Sequence, residues 1–257
     1  MGNMTPFQEN ESEAEQSERP ETFSLSRLVP LVLLVAGLIA FFAFDLDSYL
    51  TFDTLKSNRE FLTAYVAGQH FLAALIFIGI YIVVVAFSLP GGAVMSITGG
   101  FLFGWLAAAF YIVIGATIGA TILFLAAKTA LADSLRARAG GMVRKMEDGF
   151  RENAFNYLLV LRLVPLFPFW LVNLVPALLG VRLRTYVIAT FIGIMPGTAV
   201  YASVGNGLGV LFDRGETPDL GIVFEPSIFL PLLGLAVLAM VPIVYNKMMA
   251  SKSSTQK

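Results

Sequence analysis

Five stretches of this chain contain no charged residue: Leu28–Phe44, Phe71–Leu89, Phe101–Ala127, Tyr186–Val204 and Pro226–Val244. Each approaches or exceeds the roughly 20 apolar residues that a helix needs to cross a bilayer. A water-soluble core has no use for so many uninterrupted apolar runs. Only 14% of the 257 residues are charged, against about a quarter in an ordinary soluble domain. The sequence therefore specifies an all-α polytopic membrane protein.

Two of the apolar regions do not read as straight helices. The first contains FSLPGGAVMSITGGFLFGW, Phe87 to Trp105, with Pro90, Gly91 and Gly92 in succession. The second is YLLVLRLVPLFPFWLVNLVPALLGV, Tyr157 to Val181, broken by Pro165, Pro168 and Pro176. Proline removes a backbone donor and clashes with the preceding turn. Irregular backbone is tolerated at membrane depth only where protein or a water-filled cavity shields it. These segments are the expected places for backbone to line a polar path.

Loop charges set the orientation. Arg19 and Arg27 precede the first apolar segment, and Lys128, Arg136, Arg138, Arg144, Lys145 and Arg151 cluster between the third and fourth regions. The C-terminus carries Lys247, Lys252 and Lys257, whereas the 45–64 and 206–225 connections hold few basic residues. Both termini and the 128–152 segment are thus expected in the cytoplasm, and the 45–64 and 206–225 connections outside. An odd number of crossings must then separate residue 64 from residue 128, yet two long apolar segments lie there. The resolution is a re-entrant hairpin over 71–104, followed by a span over 105–127. The same logic gives an oppositely oriented hairpin over 155–181 and a span over 185–205.

Flanking spans are expected at 28–44 and 227–246, with an acidic tail at 1–26 and a basic one at 247–257. The tail at 1–26 is too polar to order itself. The 128–152 segment is partly amphipathic and is expected on the inner membrane surface. Each span after a hairpin carries a GxxxG pair, Gly115 with Gly119 and Gly193 with Gly197, which reads as helix packing. Hairpin then span, twice and inverted, is the repeat that in transporters places a site near the midplane.

Arg162 is the principal site candidate. An arginine at depth costs about 2.5 to 3.5 kcal/mol on insertion scales, so it either snorkels to the headgroups or holds a phosphate oxygen pair inside a cavity. Arg182 and Arg184 are candidate topology determinants, and Asn173 is a candidate bridge between the arms of the second hairpin. No Asp or Glu occurs between Glu60 and Asp133 or between Glu152 and Asp213, so a carboxylate proton relay is not expected. The chain has no cysteine and one histidine, His70, which leaves no basis for a metal site or thiol chemistry. No nucleophile–base pair, HExxH or phosphate-binding loop is present. Neither an enzyme, a cofactor nor a nucleic-acid partner is expected; the expected partners are membrane lipids.

The runs LPGGAVMSITGGFLFG, GATIGATILFLAAK, RLVPLFPFWLVNLVPALLG and FIGIMPGTAVYASVGNG resemble the VTT-domain proteins, also called SNARE-associated Golgi proteins, with the DedA proteins as bacterial relatives. The resemblance covers about residues 65 to 207. Phe124 and Lys128 match the family's [FY]-x-x-x-[RK] element, and Pro196 and Gly197 its G-x-x-P-G-T run. The resemblance implies two facing re-entrant hairpins and a lipid-handling function, phospholipid scrambling in some relatives and polyprenyl phosphate recycling in others. It also implies functional roles for Arg162 and Arg184. The chain departs from the DedA pattern at Gly92, where those proteins carry an acid, and this points away from proton-driven polyprenyl phosphate transport. The expectation is a lipid translocase or scramblase of a bacterial inner membrane. The alternatives are a small-anion transporter using Arg162 and a non-transporting scaffold.

Overall fold

The computed structural model describes residues 28–138, 153–214 and 218–254, and these are helical with no strand among them. The 1–26 tail, the far part of the 128–152 segment and the last three residues lie outside the described residues. The helices in order are α1 Val29–Ala43, α2 Phe52–Ser57, α3 Arg59–Gly68, α4 His70–Ala86, α5 Gly92–Phe103, α6 Trp105–Arg138, α7 Ala154–Leu163, α8 Phe169–Leu178, α9 Leu183–Asn206, α10 Leu208–Asp213 and α11 Pro226–Ser254. Short 3-10 turns sit at Leu46–Tyr49 and Leu220–Phe224.

Among the described residues, three helices are long and apolar enough to cross a membrane, Trp105–Ala130, Leu183–Asn206 and Pro226–Val244, and a fourth if Arg59–Gly68 and His70–Ala86 form one bent span. The first apolar segment is helical over only 15 residues, short of the roughly 20 that a perpendicular span needs. The 45–64 connection is mostly helical, and α3 meets α4 at a bend of 120°. The 128–152 segment begins as a direct continuation of α6 through Arg138.

Ahead of α6 and of α9 lie two helix–break–helix units, α4–α5 and α7–α8. The first break covers 87–91. Phe87, Ser88 and Leu89 close the end of α4 with a Schellman arrangement, in which the Leu89 N–H donates to the Val84 carbonyl at 2.8 Å and the Ser88 N–H to Val85 at 3.1 Å. Such a cap satisfies carbonyls that the helix end would orphan. Ser88 accordingly takes a left-handed φ of 53°, and Gly91 one of 106° before α5 begins. Gly92 therefore starts a helix; the sequence reading had placed it in the break. The second break covers 164–168, with Pro165 inside it and Pro168 as the N-cap of α8. Pro176, expected to interrupt this region, lies within α8. The end of α8 repeats the Schellman pattern, with Gly180 at φ 70° and the Val181 N–H on the Pro176 carbonyl at 3.1 Å.

The packing is exchanged between the units. Helix α4 packs on α6 and α7 on α9, the long helix that follows each in sequence, whereas α5 packs on α9 and α8 on α6. Glycine permits the closest of these approaches. A methyl at Gly100 would overlap the Ala202 carbonyl oxygen, and one at Gly205 that of Ile97. Here α5 and α9 touch backbone to backbone, so neither glycine can gain a side chain without separating the helices. The core between the long helices includes Ala108, Ala116, Ala120, Phe124, Ala177, Tyr186, Ala189 and Ala202, all buried. Small residues let four helices converge.

Gly205→Ala and Gly100→Ala are expected to lower unfolding free energy in detergent by about 2 kcal/mol each through overpacking. Gly79→Ala, whose added carbon meets nothing within 4 Å, is expected to be neutral or to gain up to about 1 kcal/mol of helix propensity. Thermal unfolding of the purified variants checks both.

Candidate functional site

The two breaks line one cavity of about 450 Å³. Leu89, Pro90, Gly91 and Gly92 contribute one wall and Leu161 to Pro165 with Phe167 another. Helices α5 and α8 both begin here, with Gly91 and Pro168 as N-caps and no side-chain capping bond at either. A helix N-terminus presents unpaired N–H groups and the positive end of its dipole. Two of them edge the same space.

Arg162, in the last turn of α7, reaches this cavity. Its Nη2 donates to Asn173 Oδ1 at 2.8 Å, Tyr186 Oη at 3.0 Å and Thr190 Oγ1 at 3.0 Å. Its Nε is buried without a partner. Nη1 makes no hydrogen bond among the described residues. The three acceptors are neutral, and among the described residues no carboxylate pairs with the guanidinium. Withdrawing a cation from water without a counter-charge is costly, and this half-buried one is held by one nitrogen while the donors at the other two are left over.

The position is fixed from several sides. Tyr186 Oη also bonds Asn173 Oδ1 at 2.8 Å and the Ala120 carbonyl at 3.3 Å. Asn173 is fully buried and thereby ties α7, α8 and α9 together. The guanidinium lies 5.5 Å from the Tyr186 ring centroid and 5.7 Å from that of Phe169. Tyr186 in turn stacks on Phe124 at 4.2 Å, and Lys128 Nζ sits 5.7 Å from the Phe124 ring. Lys128 also donates to the Val181 carbonyl at 3.5 Å. The Phe124–Lys128 pair thus belongs to a column of rings and cations that ends at Arg162.

Gly193 is part of the same construction, because Arg162 Cβ lies 2.7 Å from where its own Cβ would be. Gly115 and Gly119 press against α4 in the same manner, Gly119 with the Ile82 carbonyl at 2.6 Å and Val85 at 2.8 Å. Gly197 differs from the packing role expected of it. Nothing lies within 4 Å of an added carbon there, and the residue lines the cavity. The reason is the length of α7. It ends at Leu163, one residue after the position that meets Gly193, whereas α4 runs on past Tyr81 and covers Gly119. The early break in the second unit leaves Gly197 uncovered.

Arg184, expected beside Arg162, is exposed in the first turn of α9 and does not line the cavity. Two residues along a helix turn a side chain about 200° around the axis, and it is Tyr186 that faces inward. The sequence reading missed Tyr186, Thr190, Tyr81 and Ser96. For the first two a signal existed: Tyr186, Thr190, Gly193 and Gly197 recur at i, i+4, i+7 and i+11, one face of a helix.

Residues 89–207, which include most of the first break and all of the second, match the VTT domain. Over this stretch the chain is similar to VTT-domain proteins. It is 29% identical over 199 residues to "Transmembrane protein 41 homolog" of Dictyostelium discoideum, across 76% of this chain and 58% of that one. It is 27% and 28% identical over 204 residues to "Transmembrane protein 41B" of Mus musculus and Homo sapiens, across 78% of this chain and 68% of each relative. The chain thus spans little more than half of the Dictyostelium relative and about two thirds of the mammalian ones. No solved structure matches it.

Tyr186→Phe removes a hydroxyl shared by Arg162, Asn173 and Ala120. In a double-mutant cycle with Arg162→Gln, thermal unfolding is expected to give a coupling of about 1 to 2 kcal/mol. Arg184→Gln with Tyr186→Phe is expected to give none beyond error.

Proposed function

We propose that this protein moves lipids between leaflets, with the phosphate of the headgroup passing through the cavity between the two breaks. The observation that carries the proposal is Arg162, a half-buried cation whose Nε is buried without a partner, beside two uncapped helix N-termini. Guanidinium donors match phosphate oxygens, and helix N-termini favour the same charge. The acyl tails would remain in the bilayer. In this reading the protein is a transporter and not an enzyme.

The exchanged packing of α4–α5 and α7–α8 on α6 and α9 supports an inverted repeat with both units re-entrant. The loop charges support cytoplasmic termini. The absence of acids from the cavity lining supports passive scrambling over proton-coupled pumping. A transporter of soluble anions would use the same Arg162 donors, and the assay below separates the two.

Two measurements test the proposal. In proteoliposomes with fluorescent phospholipid, wild-type protein is expected to let dithionite quench well past the outer-leaflet share. Arg162→Gln and Gly197→Leu are expected to slow this by at least about tenfold, an amount equal to roughly 1.4 kcal/mol. Gly197→Leu fills the cavity from a position with free space around it, so its folded yield should be normal. Quenching that stops at the outer-leaflet share, together with saturable phosphate uptake, would replace lipid with a soluble anion. Neither activity would leave the scaffold reading.

For the topology, single cysteines in this cysteine-free chain are labelled with a membrane-impermeant maleimide. Gln69 and Trp105 are expected on one face, and Asn153 and Thr185 together on the other. Gln69 and Trp105 on opposite faces would remove the first re-entrant unit.

A further inference from the structure

The cavity has a hydrogen-bond polarity that selects among headgroups. Ser96, one turn into α5, donates its only hydroxyl proton to the Gly92 carbonyl at 2.7 Å. Its oxygen also lies 3.0 Å from Tyr81 Oη of α4. A hydroxyl has one proton and two acceptor lone pairs, so the proton between them must come from Tyr81. Both protons of the pair are committed within the protein. What Tyr81 and Ser96 still offer to the cavity they line is acceptor capacity alone. Tyr201, also in the lining, is committed likewise, its hydroxyl donating to the Leu220 carbonyl at 3.3 Å.

The second unit presents the opposite. The Arg162 Nε and Nη1 groups are donors with no acceptor capacity. Among the described residues, Arg162 is the sole charged one in the cavity lining. Of the lining side chains, Tyr81 and Ser96 of the first unit supply acceptors without charge, and Arg162 of the second supplies donors with one positive charge.

We infer that the cavity takes a phosphate ester whose headgroup also carries N–H or O–H donors, with the phosphate toward Arg162 and the headgroup donor toward Tyr81 and Ser96. This rests on the reading of the cavity as a headgroup site and narrows it. A quaternary choline has no proton to give and leaves the acceptors of Tyr81 and Ser96 unsatisfied. Ethanolamine and glycerol headgroups satisfy them. Tyr81 and Ser96 are then specificity-determining residues.

The test uses the purified full-length chain in detergent and short-chain phosphatidylethanolamine, its N-methyl and N,N-dimethyl forms, and phosphatidylcholine. Along this series each N–H donor in turn is replaced by a methyl, and all four lipids are zwitterionic. Apparent affinity is read from ligand-dependent thermal stabilisation. The expected result is a progressive fall across the series, about fivefold from ethanolamine to choline, the size of one ordinary hydrogen bond. Tyr81→Phe is expected to flatten the series, and Ser96→Ala to weaken it by freeing the Tyr81 proton. Comparable unfolding midpoints without lipid verify that both variants fold.

Equal affinity across the series in wild type, a preference for choline, a slope that survives both substitutions, or no stabilisation by any of these lipids would overturn the inference. Phosphoethanolamine without tails separates the sources of the ligand: stabilisation by it as strong as by the lipid assigns the same selectivity to a soluble phosphate ester. A graded response without scrambling would overturn translocation and keep the selectivity; scrambling with no gradient would do the reverse.

Discussion

A helix that stops inside hydrocarbon leaves N–H or C=O groups that no water can satisfy, and four helix ends of this chain converge on one cavity. The fold is organised around that problem. Helix α4 closes its carbonyls with the Ser88–Leu89 turn, placing a non-glycine residue in left-handed backbone. The starts of α5 and α8 carry no side-chain cap. The carbonyl end of α4 is dealt with internally, while the N–H ends of α5 and α8 meet the cavity without a side-chain cap. That asymmetry gives the cavity its positive character before any side chain is considered.

Arg162 adds to that character and is made possible by its surroundings. The three neutral oxygens on Nη2 hold the group without cancelling its charge. A carboxylate there would have closed an ion pair and left little for a ligand. The ring stack from Phe124 through Tyr186 fixes the guanidinium from behind. Gly193 lets α7 approach α9 closely enough for the bonds to form. The space in front of Arg162 exists because α7 stops sooner relative to its glycine pair than α4 does. Two similar units with one difference in length give a packed helix pair in one and an open wall in the other.

The amino-acid sequence alone determined the helical membrane class, because long uncharged runs have no other favourable environment. It also located both interruptions, since proline and adjacent glycines act on the backbone locally and need no partner to do so. Arg162 stood out for a similar reason, its transfer cost being a property of the residue itself. What only the tertiary structure decided was partnership. Arg184 and Tyr186 are two residues apart, and the facing of α9 chose the tyrosine. Gly119 and Gly197 occupy matching places in their motifs, and the length of the helix opposite made one a contact and the other a cavity wall. Pairing depends on distances between segments far apart in the chain, and no local pattern of residues encodes those distances.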